Sequence, residues 1–167
     1  DAAGGDIKFL SGGTEFGEFR NISSDLVLIS SVNDKDIVFK GQDGGSEITA
    51  LTLDMSGAGA ATFNNDVTAF SDKRLKTDIQ PITDGLSKVM QMQGVYYKRN
   101  DVEDAREQVG VLAQDMEAVL PEVVLTADDD MQTKSVDYSK LTAVLIESVK
   151  ELNVQLQELK QQINNGG

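Results

Sequence analysis

Cysteine, histidine and tryptophan are all absent from the 167 residues. Their loss removes disulfide staples, thiol nucleophiles, every imidazole-based triad and the soft or imidazole ligands that usually hold zinc. No metal and no cofactor is therefore expected. Positive charge is scarce as well: 15 Lys and Arg stand against 28 Asp and Glu, a formal charge of −13. A surface this acidic repels phosphate backbones and anionic lipid headgroups, so neither nucleic acid nor a membrane is an expected partner. No apolar run approaches the roughly 20 residues of a membrane span. The opening "DAAGGDIKFL" lacks the basic, apolar, small-residue order of an export signal, and the chain reads as soluble.

Proline is almost missing and glycine is unevenly spread. Both prolines follow residue 70, whereas ten of the fifteen glycines precede it, so the composition breaks near Phe70. Before the break, short β-favouring runs meet turn formers: "DIKFLSGG", "DLVLISSV", "DIVFKGQDGG", "EITALTLDMSG" and "ATFNNDV". Their spacing is irregular, which makes a loose repeat. Such strands carry few large apolar residues, and a chain of this kind gains stability by stacking on neighbours or on copies of itself. The alternative is an independent small sandwich with a thin core.

After the break the pattern turns helical. Leu86, Val89, Met90 and Gln93 keep helical spacing until Gly94, and "VYYKR" then reads as a strand. A strand-like "QVGVLA" leads into a short helix, "QDMEAVL", closed by Pro121. Two strands follow around the acidic turn Asp128–Asp130, which lacks EF-hand spacing and its glycine and so predicts a solvated hairpin. Last come Leu145, Val149, Leu152, Leu156, Leu159 and Ile163, spaced 4, 3, 4, 3 and 4 apart, with Gln, Glu and Lys on the flanks and "NNGG" as a stop. So narrow a stripe predicts a coiled coil over about 138–163 rather than a helix packed on its own domain. Its residues leave dimer and trimer open. The expected fold class is α+β: an amino-terminal β-rich stem over 1–70, then a mixed α/β domain over 71–167 ending in the long coiled-coil helix.

The second part resembles the carboxy-terminal intramolecular chaperone domain of phage tailspikes and tail fibres, typified by endosialidases and classed with self-cleaving serine peptidases. The residues that carry the resemblance are "SDKRLKTDI" at 71–79, "GVYYK" at 94–98, "VGVLAQDMEAVLPEVV" at 109–124 and "SVDYSKLTAVLIESVKEL" at 135–152, with the heptads after them. The resemblance implies a homotrimer, a chaperone that assembles the stem ahead of it, and release by cutting just before the serine of the opening motif. Carried over, the scissile bond is Phe70–Ser71, Ser71 is the nucleophile and Lys76 its base. It also implies a place in the virion, in a tail fibre or tailspike assembled in the host cytoplasm. Residues 1–70 are similar to phage stem sequence in style alone.

The chemistry makes demands of its own. A serine hydroxyl needs a base, and without histidine the candidates are Lys, Asp or Glu. Lys76 must be neutral to serve, whereas an exposed lysine titrates near 10.4, so burial or the nearby cations Lys73 and Arg74 would have to favour the amine. Positions five apart point about 140° from each other on a helix and stand roughly 17 Å apart in an extended chain. A dyad thus requires Ser71 on an extended lead-in with a turn before Lys76, or a lysine from a neighbouring subunit. The plainer reading is a helix start, with Ser71 or Asp72 accepting from the first N–H groups of a helix near Lys73. Asp72 has a supporting role in either case. Gln114 can hold an oxyanion through its amide, although a helix cap beside core-packing Met116, Val119 and Leu120 also explains it. Tyr96 and Tyr97 alternate faces, so one packs and one is exposed. Two other functions compete with the self-cutting chaperone: a structural trimerisation module at a fibre tip whose dyad is silent, and a glycan-binding tip, for which the lack of tryptophan gives little support.

Overall fold

The computed structural model describes residues 6–166. Residues 1–5 of the opening stretch and Gly167 of the terminal "NNGG" lie outside them. The chain divides into two compact units, Asp1–Asp72 and Lys73–Gly167.

The first unit is two antiparallel meanders. In one, β1 (Ile7–Ser11), β2 (Thr14–Ile22) and β3 (Asp25–Ser30) pair in sequence order, and in the other β4 (Ile37–Asp43), β5 (Ser46–Asp54) and β6 (Ala60–Phe63) do the same. The repeat is closer than its sequence spacing suggests. Each meander opens with Asp-Ile-x-Phe, at Asp6 and at Asp36, and each has a register shift directly after that phenylalanine, between Phe9 and Leu10 or Phe39 and Lys40. Each first hairpin then turns through a glycine pair, Gly12-Gly13 at φ +56° and +83° and Gly44-Gly45 at +57° and +85°. Two positive-φ residues match the twist of a two-residue hairpin, and glycine adopts them without a Cβ penalty.

Strand β2 was not among the expected runs, because Gly17 and three charged residues interrupt "TEFGEFRNI". The structure supplies reasons for both. A Cβ on Gly17 would lie 2.9 Å from the Ile29 carbonyl oxygen, so only glycine lets β3 approach. Glu18, although 3% exposed, is ion-paired with Arg20 and faces Lys8 at 4.0 Å across the sheet. Register sets Ile7 opposite Phe19 and Phe19 opposite Leu28, an apolar face on which the Phe9 and Phe19 rings meet edge to face at 5.5 Å. Phe39, Leu51 and Phe63 align likewise in the second meander.

The second unit begins with a 3-10 helix, Lys73–Leu75, followed by α1 (Gly85–Val89). Helix α1 is shorter than the spacing predicted: Met90 ends it and is exposed, while Met92 turns back to pack on the core. Strands β7 (Val95–Tyr97) and β8 (Gln108–Gly110) pair as a hairpin, with Tyr96 exposed and the Tyr97 hydroxyl donating to Gln108 Oε1 at 3.0 Å, as alternation requires. Helix α2 (Ala113–Val119) precedes a 3-10 turn that starts at Pro121. Strands β9 (Val124–Thr126) and β10 (Lys134–Val136) flank the acidic turn. There the Thr133 N–H donates to Asp129 Oδ1 at 2.8 Å, and no group of carboxylates suited to a metal occurs among the described residues.

Helix α3 (Tyr138–Asn165) closes the unit. Asp137 caps it, accepting from the Ser139 N–H at 3.1 Å. Met116, Leu120, Val123 and Val144 form the core, flanked by Val89, Leu141 and other half-buried side chains. No described helix is long and apolar enough to cross a membrane. The architecture is thus mixed α and β, with several small antiparallel sheets and a long final helix.

Candidate functional site

The sequence singles out two places, the opening motif and the α3 stripe. At the first, Phe70 is 98% exposed and Ser71 is exposed as well, with Asp72 half-buried, all on backbone without regular structure. One turn of 3-10 helix follows, and the Lys76 N–H closes it by donating to the Lys73 carbonyl at 3.1 Å. Ser71 therefore sits on a lead-in and Lys76, also exposed, on the exit from the turn. No α-helix starts at Lys73, so the helix-start reading reduces to this one turn. Arg74 lies within it, so the run from Lys73 to Lys76 gathers three cations around the turn. Gln114 is exposed on the first turn of α2, whose cap position is Leu112 and carries no side-chain capping bond. Met116, two residues further on, fills the core at 1% exposed, so α2 is held by packing while Gln114 faces solvent.

At the second place, one helix carries two stripes. Val144 and Ser148 are buried, and the Ser148 hydroxyl donates back to the Val144 carbonyl at 2.7 Å. Leu145, Val149, Leu152, Leu156, Leu159 and Ile163 remain 46–66% exposed. From Leu152 to Gly166 every residue is exposed, so the second half of α3 rests on nothing within its own unit.

One polar contact escaped the sequence reading. Glu151 reaches α1, where its carboxylate accepts from the Gly85 N–H at 3.0 Å and the Leu86 N–H at 2.9 Å. Its only trace in the sequence is position, since Val144, Ser148 and Glu151 follow one another at helical spacing beside the exposed stripe.

Comparison with known proteins bears on the opening motif. Residues 71–125 match the family model described as chaperone of endosialidase. The long tail fibre protein Gp37 of Enterobacteria phage K3 is 34% identical over 98 residues, 56% of this chain and 8% of that protein. Its counterpart in Enterobacteria phage M1 is 33% identical over 102 residues, 58% of this chain and 41% of that protein. That of Salmonella phage S16 is 26% identical over 149 residues, 85% of this chain and 20% of that protein. A stretch of that length is longer than the second unit, so this similarity extends into the strand-rich part. The chain spans less than half the length of each of these relatives.

Proposed function

We propose, from the match of residues 71–125 to the chaperone-of-endosialidase family model, that the chain is an intramolecular trimerisation chaperone of a phage tail fibre or tailspike. It aligns three copies through α3, lets the strand-rich stem ahead of it fold in register, and releases itself between Phe70 and Ser71. One observation carries the reading. The second half of α3 is exposed throughout and bears an apolar stripe at 4-3 spacing. A helix of this length without packing is marginal in water, so the stripe calls for partners, and identical copies of the same stripe satisfy it.

The stem supports the same reading. Among the described residues, every buried hydrophobic belongs to the second unit, and the stem's Phe16, Phe39 and Phe63 are each about half exposed. Long β structures rest on non-local contacts and nucleate slowly, whereas a coiled coil starts from local turns and sets three ends level. The assembled product belongs in the virion, after assembly in the host cytoplasm.

In the cutting step, the Ser71 hydroxyl oxygen attacks the Phe70 carbonyl carbon while Lys76 takes its proton. The carbon–nitrogen bond to Ser71 breaks, and its nitrogen leaves protonated as a free amine. An ester then joins the Phe70 acyl group to the Ser71 side chain, and water hydrolyses it to a Phe70 carboxylate and a free Ser71 hydroxyl. The site acts once. Because Phe70, Ser71 and Lys76 are exposed in the single chain, neighbouring copies would provide the walls that exclude water, and cutting would report successful assembly. Denaturing mass spectrometry tests this. A new amino terminus at Ser71 is expected, abolished by Ser71→Ala and by Lys76→Ala. An intact mass after prolonged incubation of a trimeric sample would leave a non-cleaving structural module in its place.

A further inference from the structure

Helix α1 has five residues, too few to persist alone in water. Its order comes from α3. Gly85 is buried, and a Cβ there would stand 3.0 Å from the Ser148 backbone nitrogen and 3.1 Å from the Val144 carbonyl oxygen. A glycine thus lets the two helices approach closely. Asp84 heads α1 but makes no side-chain capping bond. The acceptors for the first N–H groups come instead from Glu151, whose two oxygens take the Gly85 and Leu86 donors. An anionic acceptor at a helix start satisfies orphan donors and complements the dipole.

The place of this contact matters. Consecutive residues on a helix are about 100° apart around its axis. Val144 and Ser148, which receive α1, therefore flank Leu145 and Val149 of the exposed stripe. Between Lys76 and Gly85 the chain is short, contains Pro81 with its fixed φ, and is pinned by Ile82 on the core. The Glu151 contact and Ile82 together therefore anchor the far end of the segment that begins at Lys76.

We infer that Glu151 is a positioning residue: its carboxylate latches the segment bearing Lys76 to the flank of the α3 stripe, so that ordering of α3 by assembly orders the cutting site. The inference rests on the reading of Ser71 and Lys76 as a self-cleaving dyad. It differs from a purely stabilising contact in one respect, since it separates the rate of cutting from the amount of trimer.

The test uses the full chain and two variants. Glu151→Gln keeps the shape but removes the charge and replaces one of the two accepting oxygens with an NH2 donor, so the two-oxygen grip on the Gly85 and Leu86 N–H groups is lost. Glu147→Gln, in an exposed pair with Lys150 on the same helix, is the control. Trimer content is read by light scattering, cutting by the appearance of the Ser71 amino terminus, and the latch by amide exchange at Gly85 and Leu86. Glu151→Gln is expected to remain trimeric, to lose protection at those two amides, and to cut roughly tenfold or more slowly, as loss of a charge-assisted bond implies. Glu147→Gln is expected to match the parent. Unchanged cutting in a trimeric Glu151→Gln, or cutting that falls only in step with trimer content, would overturn the inference. A parent that never cuts would defeat the dyad reading, and unchanged protection at Gly85 and Leu86 would separately defeat the latch.

Discussion

Asp137 illustrates how much of this chain turns on single carboxylates. Its side chain accepts from the Ser139 N–H and, at 2.6 Å, from the Ser139 hydroxyl, and Lys140 stands 3.4 Å away. Those hydrogen bonds, with the Lys140 charge behind them, hold its carboxyl below the ordinary carboxylate range. A folded-state value below the unfolded one means that the cap stabilises fully above the unfolded pKa, about 3.9, and is lost as pH falls through the lower folded value. Asp137→Ala should therefore lower the urea midpoint at neutral pH, and its gap from the parent should narrow in acid below that range. A gap that stayed constant with pH would assign the loss to something other than the charge. The cap was legible only in outline, since the stripe could be followed back to Tyr138 while the Asp137–Ser139 pair gave no periodic signal. At the proposed cutting site, the need for a lead-in and a turn followed from spacing alone, but the single 3-10 turn at Lys73–Leu75 could not, because three residues are too few to show a period.

Elements were readable where one force dominated. The β9–β10 hairpin, the stop at Pro121 and the course of α3 each follow from a local rule, alternation around a turn former or a sustained 4-3 spacing. Strand β2 was hidden because its reasons are non-local: Gly17 answers to the Ile29 carbonyl in the next strand, and Glu18 to Lys8 across the sheet. Helix α1 came out shorter than its spacing for a similar reason, as the core takes Met92 rather than Met90. Gly17→Ala tests the argument for β2. The added methyl must displace backbone rather than a flexible side-chain end, so a loss of about 1–3 kcal/mol is expected, with weakened amide protection along β2 and β3. A neutral outcome would mean that β3 can move away without penalty, and the close approach would no longer explain the glycine.

For the whole molecule, the division of labour is physical. The second unit has a small closed core of its own, whereas the first unit's two meanders leave Phe16, Phe39 and Phe63 about half exposed and the second half of α3 is exposed throughout. Both exposed sets are repetitive, the first unit in its paired Asp-Ile-x-Phe starts and the helix in its 4-3 spacing, and repetition suits association between identical chains. The most direct measurement is the mass of the intact chain by light scattering, beside a Leu152→Lys, Leu156→Lys double variant that changes the exposed stripe and spares the core. Three times the chain mass of 18.0 kDa is predicted for the parent, collapsing to a single chain in the variant. A parent that stays a well-folded single chain across the accessible concentration range would contradict the account.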